Sequence, residues 1–273
     1  MPFTLSHAAA VLPLARTRLP LSALVVGSVA PDLPYYLPLP VASATTHGPA
    51  GLWLDVLLGG IVLTVYVYAI RDPVHALAGR VYEPCPGEPG SGRRPVRAAV
   101  LTVVALAAGS VTHLAWDSFT QTGGALVRAW PLLSTQVVGP HLLYNVLMYA
   151  SSALGLAALA WWVRRSRGRP GTNPPRPTRE SASSGFRNPD PNGTDTLRGV
   201  PAPGVRATAL AAVAVCAVAG AVLNGLSERA TVSGYDLVRC LLVGAVTGTA
   251  LGLTVWTAAW WGRLVPGARA KGP

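Results

Sequence analysis

The stretch VRAAVLTVVALAAGSVTHLAWDSFT, Val96–Thr120, decides the fold. From Ala98 to Val111 only Thr102 and Ser110 interrupt a run of apolar and glycine residues. About 20 mostly apolar residues are enough to cross a bilayer as a helix, and the run shows none of the alternation a strand requires. At its far end stand His113 and Asp117, four residues apart and therefore on one helical face. Ionisable groups at membrane depth are costly, so a histidine and an aspartate there mark a functional site.

Working outward, four more stretches have the same length and character: Gly51–Ile70, His141–Val163, Val205–Leu226 and Tyr235–Trp261. The composition agrees. Apolar residues make up 51% of the chain and charged ones only 12%, against about a quarter charged in soluble domains. Mean hydropathy is +0.40. The expected fold is all-α: a polytopic membrane bundle of about five spanning helices preceded by an N-terminal helical hairpin. Its parts are a membrane domain over 1–163, an Arg/Pro-rich linker over 164–204 and two C-terminal spans over 205–273.

The net charge of +11 suggests nucleic acid at first sight, but the arginines lie in connecting segments with no aromatic-studded basic surface among them. Nucleic acid is not an expected partner; membrane lipids are. Arg71, Arg80, Arg93 and Arg94 separate the first and second spans, and eight arginines from Arg164 to Arg198 separate the third and fourth. The second and third are separated by Arg128 alone, and the fourth and fifth by Arg229 alone. Rich and poor loops alternate as the positive-inside rule requires. That pattern predicts a multi-pass plasma-membrane protein with a cytoplasmic C-terminus. Residues 166–204 have too few apolar side chains to offset ordering entropy and are expected to be disordered.

Cys85, Cys216 and Cys240 form no C-x-x-C pair and support neither a disulfide framework nor a thiolate metal site. The first twenty residues lack the order of a cleavable signal peptide, so His7 is expected to persist. Thr4 or Ser6 caps a short helix running to about Arg16, and Pro20 begins a second that ends before Pro31. Both are too short to span. Folded on each other, with Arg16 and Arg18 at the turn, they bring His7 beside Asp32.

By this topology the outward-running second span carries Asp117 at its outer end, and His47 precedes the inward-running first span. His7, Asp32, His47, His113 and Asp117 thus converge on the extracytoplasmic boundary as a candidate metal site. Imidazole and carboxylate together suit zinc or manganese. Plainer roles stand beside this one. Asp32 would cap the turn after Pro31, Asp117 would pair with Arg128, His75 would be solvated, and His141 would be an ordinary span-start residue or complete the shell. Asp236 and Arg239 would pair with each other. Tryptophans at the span ends form an aromatic belt, and Trp116 and Trp130 flank the site.

The segments MPFTLSHAAAVLPL, LSALVVGSVAPDLPYYL, THLAWDSFTQTGG and YASSALGL closely resemble a bacterial membrane family catalogued as domain of unknown function (DUF) 4184. The order His, Pro-Asp, His, His-x-x-x-Asp is more distantly similar to membrane-bound metal-dependent hydrolases and the zinc phospholipase C group. That similarity implies His7, Asp32, His47, His113 and Asp117 as metal ligands, with Asp32 or Asp117 accepting a proton from attacking water. The chain departs from the hydrolase pattern at Pro34, where a second acid is usual, and in the reduced run Thr45-Thr46-His47-Gly48. Fewer acids imply fewer metals. The leading expectation is a hydrolase of a lipid or phosphoester; a cation transporter and a purely structural membrane protein are the alternatives.

Overall fold

The computed structural model describes residues 4–37, 39–79, 95–167, 200–232, 234–262 and 264. Five helices are long and apolar enough to cross a membrane: Pro49–Leu77, Val96–Ala129, Leu143–Ser166, Pro203–Gly225 and Asp236–Trp261. The protein is an all-α, multi-pass membrane protein with an N-terminal helical hairpin. Cys85 and most of the 164–204 linker fall outside the described residues.

The hairpin is present, but its first arm is broken. A helical turn over Thr4–His7 gives way to a 3₁₀ segment over Leu12–Arg16. Pro13 explains the break, since it has no N–H to donate and its ring clashes with the preceding turn. The second arm, Leu21–Val29, tightens into a 3₁₀ turn over Ala30–Asp32. Pro31 cannot donate back to Gly27, whose carbonyl accepts the Ala30 N–H and the Ser110 hydroxyl, the latter at 3.1 Å.

This arm packs on the second span without intervening side chains. A Cβ at Gly27 would collide with the backbone of Leu106, and one at Gly109 with the carbonyl of Leu24. Small residues that let backbones touch are a membrane-helix device. The first span turns its Asp55, Gly59 and Leu63 face inward, and a Cβ on Gly59 would meet the side chains of Leu106, Ala30 and Val26.

Two compact units emerge: residues 1–64 with 85–187, and residues 65–84 with 188–273. The division crosses the first span between Thr64 and Val65. Past that point the helix widens to a π-turn over Tyr66–Ile70. Pro73 is the cause: it leaves the Ala69 carbonyl without its helical donor. Trp261 Nε1 donates to that carbonyl at 2.8 Å, and Trp256 Nε1 to the Pro73 carbonyl at 2.9 Å. Those bonds tie the end of the first span to the C-terminal pair. Within that pair, Gly220, Gly244 and Gly248 bring the backbones together. The expected Asp236–Arg239 pair is present at 3.9 Å.

Two short features were not expected. His141 does not open the third span; with Leu142 it pairs antiparallel with Gln136–Val138, across a turn where Gly139 has φ 53°. The helix proper runs Leu143–Arg167. His75 lies half-buried on a helix, Arg71–Leu77, and not in a solvated loop.

Two glycines separate packing from propensity. Gly27→Ala should destabilise the detergent-solubilised protein by about 1–3 kcal/mol by overpacking. Gly60→Ala meets only Leu106 Cδ1 at 4.0 Å and should be neutral or stabilising by up to about 1 kcal/mol. Thermal unfolding of the two variants beside the parent checks this, and equal effects would contradict the packing account.

Candidate metal centre

The five expected side chains are delivered by four local devices. His7 ends the short helix Thr4–His7 and is only 1% exposed. Asp32 closes the 3₁₀ turn made by Pro31. His47 follows the turn Ser43–Thr46, which Thr46 pins by donating its hydroxyl to the Pro31 carbonyl at 2.8 Å. His113 and Asp117 project from the second span one turn apart.

The structure brings all five together. His7 Nε2 lies 3.3 Å from Asp117 Oδ1. His113 Nε2 lies 3.3 Å from Asp117 Oδ2 and 3.7 Å from Asp32 Oδ1. His47 Nε2 is 3.2 Å from Asp32 Oδ1 and 3.5 Å from Asp117 Oδ2. The rings of His7 and His113 overlap with centroids 4.1 Å apart. Two triads have ligand atoms lying within 4.8 Å of one another: His7, Asp32 and His113; and His47, His113 and Asp117.

A surrounding layer orients these donors. His113 Nδ1 lies 2.7 Å from the Ser28 carbonyl, and His47 Nδ1 lies 2.9 Å from the Ser43 carbonyl. A carbonyl can only accept, so Nδ1 holds the proton in both rings. Each Nε2 is left to face the centre when the ring is neutral, the arrangement seen around metal-ligating histidines. Thr4 Oγ1 donates to Asp32 Oδ2 at 2.5 Å and lies 2.7 Å from the Tyr36 hydroxyl. Asp32 therefore offers only Oδ1 to the centre. This corrects two plainer readings: Thr4 serves Asp32 and not a helix cap, and Asp32 makes no side-chain cap bond.

Several atoms at the centre have no hydrogen-bond partner: both nitrogens of His7, Nε2 of His113 and both oxygens of Asp117. Buried polar atoms are normally satisfied. Here the donors face one another at separations longer than the 2.7–2.9 Å typical of a charge-assisted hydrogen bond. Ligands at 2.0–2.1 Å around a tetrahedral zinc stand about 3.3 Å apart. The residues present fit a divalent cation in spacing, donor chemistry and unsatisfied atoms.

Arg128 does not pair with Asp117; its Nη1 donates to the Gly123 carbonyl at 2.5 Å. His141 stays outside both triads and packs edge-on against Tyr149. Trp116 donates to Ser151 Oγ at 3.2 Å. Sequence reasoning missed Ser28, Tyr36 and, above all, Asp55, which is 0% exposed. A lone acid inside an apolar span was the available signal.

His47 is the group nearest the outside, its side chain 21% exposed, with the half-exposed Tyr35 ring edge-on at 5.7 Å. Burial alone would lower its pKa, but the facing Asp117 and Asp32 raise it from 6.5 to about 10. Burial pushes Asp32 up, and the neighbouring His47, His113 and Thr4 more than reverse this, leaving it lowered. Without metal, then, protons on imidazole hold the carboxylates together. A folded-state pKa above the unfolded one contributes stability in full below about pH 6.5 and loses it as pH rises through about 10. The chelator-treated protein should melt at progressively lower temperature from pH 7 to 10, with a smaller fall in His47→Gln. Added zinc should remove the fall, since ligation requires neutral imidazole. Melting curves in detergent across this range are the check.

A family model described as "Domain of unknown function (DUF4184)" matches residues 1–258. Nothing among curated proteins and nothing among solved structures matches the chain. Because the family match takes in every one of the five gathered side chains and nearly the whole length, the chain belongs to the DUF4184 family of proteins.

Proposed function

We propose that this protein is a membrane-bound metal-dependent hydrolase acting on a lipid or other phosphoester at the extracytoplasmic boundary of the plasma membrane, with its C-terminus in the cytoplasm. One observation carries the reading. Three imidazoles and two carboxylates, drawn from four separate segments of an apolar chain, face one another, and the ligand atoms of His7, His113 and Asp117 are left without hydrogen-bond partners. A cluster built only to lock helices would satisfy those atoms internally.

The residues for holding zinc or manganese are His7, Asp32, His47, His113 and Asp117. Such a cation supplies Lewis acidity, drawing the pKa of water toward neutrality and polarising an ester or phosphoryl oxygen. The chain's own groups do the rest. Ser28 and Ser43 fix the tautomers of His113 and His47. Thr4 holds one oxygen of Asp32, leaving the other to ligate or to take a proton from water. Asp117, with both oxygens uncommitted, fills the same two roles. Tyr35 and His47 line the exposed side, where an aromatic and an imidazole suit the boundary between headgroup and hydrocarbon. Alternating arginine content of the loops supports the orientation.

The test is hydrolysis of a fluorogenic phospholipid in mixed micelles by protein stripped with chelator and restored with zinc or manganese. Hydrolysis should require the metal and fall by at least about 100-fold in His113→Ala and Asp117→Ala, because removing a ligand or its support costs metal affinity or activity on this scale or more. Full metal content retained in both variants, or hydrolysis indifferent to metal, would contradict the reading.

A further inference from the structure

The loop joining the second and third spans turns its polar side chains onto its own backbone and its apolar ones outward. From Ser118 to Val163 the only Asp, Glu, Lys or Arg is Arg128. Its Nη1 donates to the Gly123 carbonyl, Thr135 Oγ1 donates to the Leu132 carbonyl at 2.7 Å, and the Gln136 amide donates to the Gly139 carbonyl. Facing outward are Trp130, Leu132, Val137 and Val138, each more than half exposed. Clustered exposed apolar side chains mark an interaction surface with a protein or a membrane.

This face is fixed in place from beneath. Val127, Leu133 and Tyr144 are buried together, with Phe119 of the second span and Leu147 of the third packed against them. The chain turns off the second span where the Gln121 N–H donates to the Asp117 carbonyl at 3.0 Å. There a Cβ on Gly124 would strike the backbone of Asp117 and Ser118, and the Arg128 N–H donates to the Gly124 carbonyl at 3.0 Å. Arg128 therefore stands on the corner that ends the helix carrying Asp117. At 26 residues that helix is about 39 Å long, against about 30 Å of hydrocarbon. The corner thus lies at the bilayer boundary, where tryptophan and an internally bonded backbone are favoured.

We propose that this face docks an anionic phospholipid of the surrounding leaflet, Arg128 holding the headgroup phosphate and Trp130, Leu132, Val137 and Val138 the upper acyl chains. Charge selects the occupant. A guanidinium has five N–H donors; Arg128 commits Nη1 to Gly123, and no carboxylate among the described residues pairs with it. Its planar fork matches phosphate geometry. A second copy of this chain is the poorer fit, because a two-fold contact sets the same patch against itself and would oppose cation to cation with no acid between. The surface lies outside the five-residue centre and needs no metal there.

The experiment places full-length protein in nanodiscs of phosphatidylcholine containing rising fractions of phosphatidylglycerol brominated high on its acyl chains. Subtracting Trp130→Phe from wild type isolates the Trp130 emission. That emission should fall along a saturating curve. Arg128→Gln should need about tenfold more brominated lipid for the same loss, the scale of a hydrogen bond to a charged group, and Arg128→Lys should fall between the two. Excess inorganic phosphate should leave the curve in place, because a free anion makes none of the apolar contacts. Displacement by phosphate assigns Arg128 to a soluble anion and overturns the proposal. Quenching by aqueous iodide and not by bromine overturns it, as does a curve indifferent to Arg128→Gln. Emission shielded from both quenchers assigns the face to a second copy and overturns it likewise. Both substituted side chains are exposed, and melting curves matching wild type confirm that the variants fold. No metal enters the measurement, so its failure is separate from failure of the hydrolase reading.

Discussion

The backbone-to-backbone contact between the hairpin and the second span, at Gly27 and Gly109, is the constraint on which the site depends. With any larger side chain at either position the two helices would stand farther apart. Ser110 would then no longer reach the Gly27 carbonyl, nor His113 the Ser28 carbonyl. Ser110 and His113 are three apart on one helical face, and Gly27 and Ser28 are consecutive carbonyls at a helix end tightened by Pro31. The hairpin is too short to span a membrane, but it is long enough to deliver Asp32 from one end and His7 from the other. Its value lies in placing both against a helix that carries its own histidine and aspartate.

Burial then determines what the cluster is for. His7, Asp32 and His113 are nearly inaccessible, and an ionised group in such surroundings needs a counter-charge. Protons on imidazole supply it in the metal-free protein, and a divalent cation supplies it when ligated. On the metal reading proposed above, the two states would compete for the same nitrogens and proton release would accompany metal binding. His47 is the least buried of the three imidazoles and lies beside the half-exposed Tyr35.

Much of this was legible in the sequence, for stated physical reasons. Spanning helices are read from the length of an apolar run, and all five lie where the runs do. His113 and Asp117 follow from helical spacing alone, and the hairpin that joins His7 to Asp32 follows from Pro20, Pro31 and the shortness of both arms. What escaped was whatever depends on tertiary contact. That Ser28 and Ser43 orient imidazoles through their carbonyls has no side-chain signature. That Thr4 serves Asp32 and not its own helix end cannot be told from a capping preference both share. The π-turn at Tyr66–Ile70 follows from Pro73 only once Trp261 is seen to take the Ala69 carbonyl. Asp55 is a different case. The rule that drew attention to His113 applies to it equally, but it stands among apolar residues with no neighbouring ligand to form a motif.

If the imidazoles and carboxylates are ligands and not merely a buried ion cluster, zinc must sit among them. X-ray absorption at the zinc edge of the purified protein addresses this most directly. The account predicts a first shell of nitrogen and oxygen only, near the 2.0–2.1 Å typical of histidine ligation, with the outer-shell scattering of several imidazole rings. A well-folded protein that takes up no zinc, or a shell containing sulfur near 2.3 Å, would contradict it.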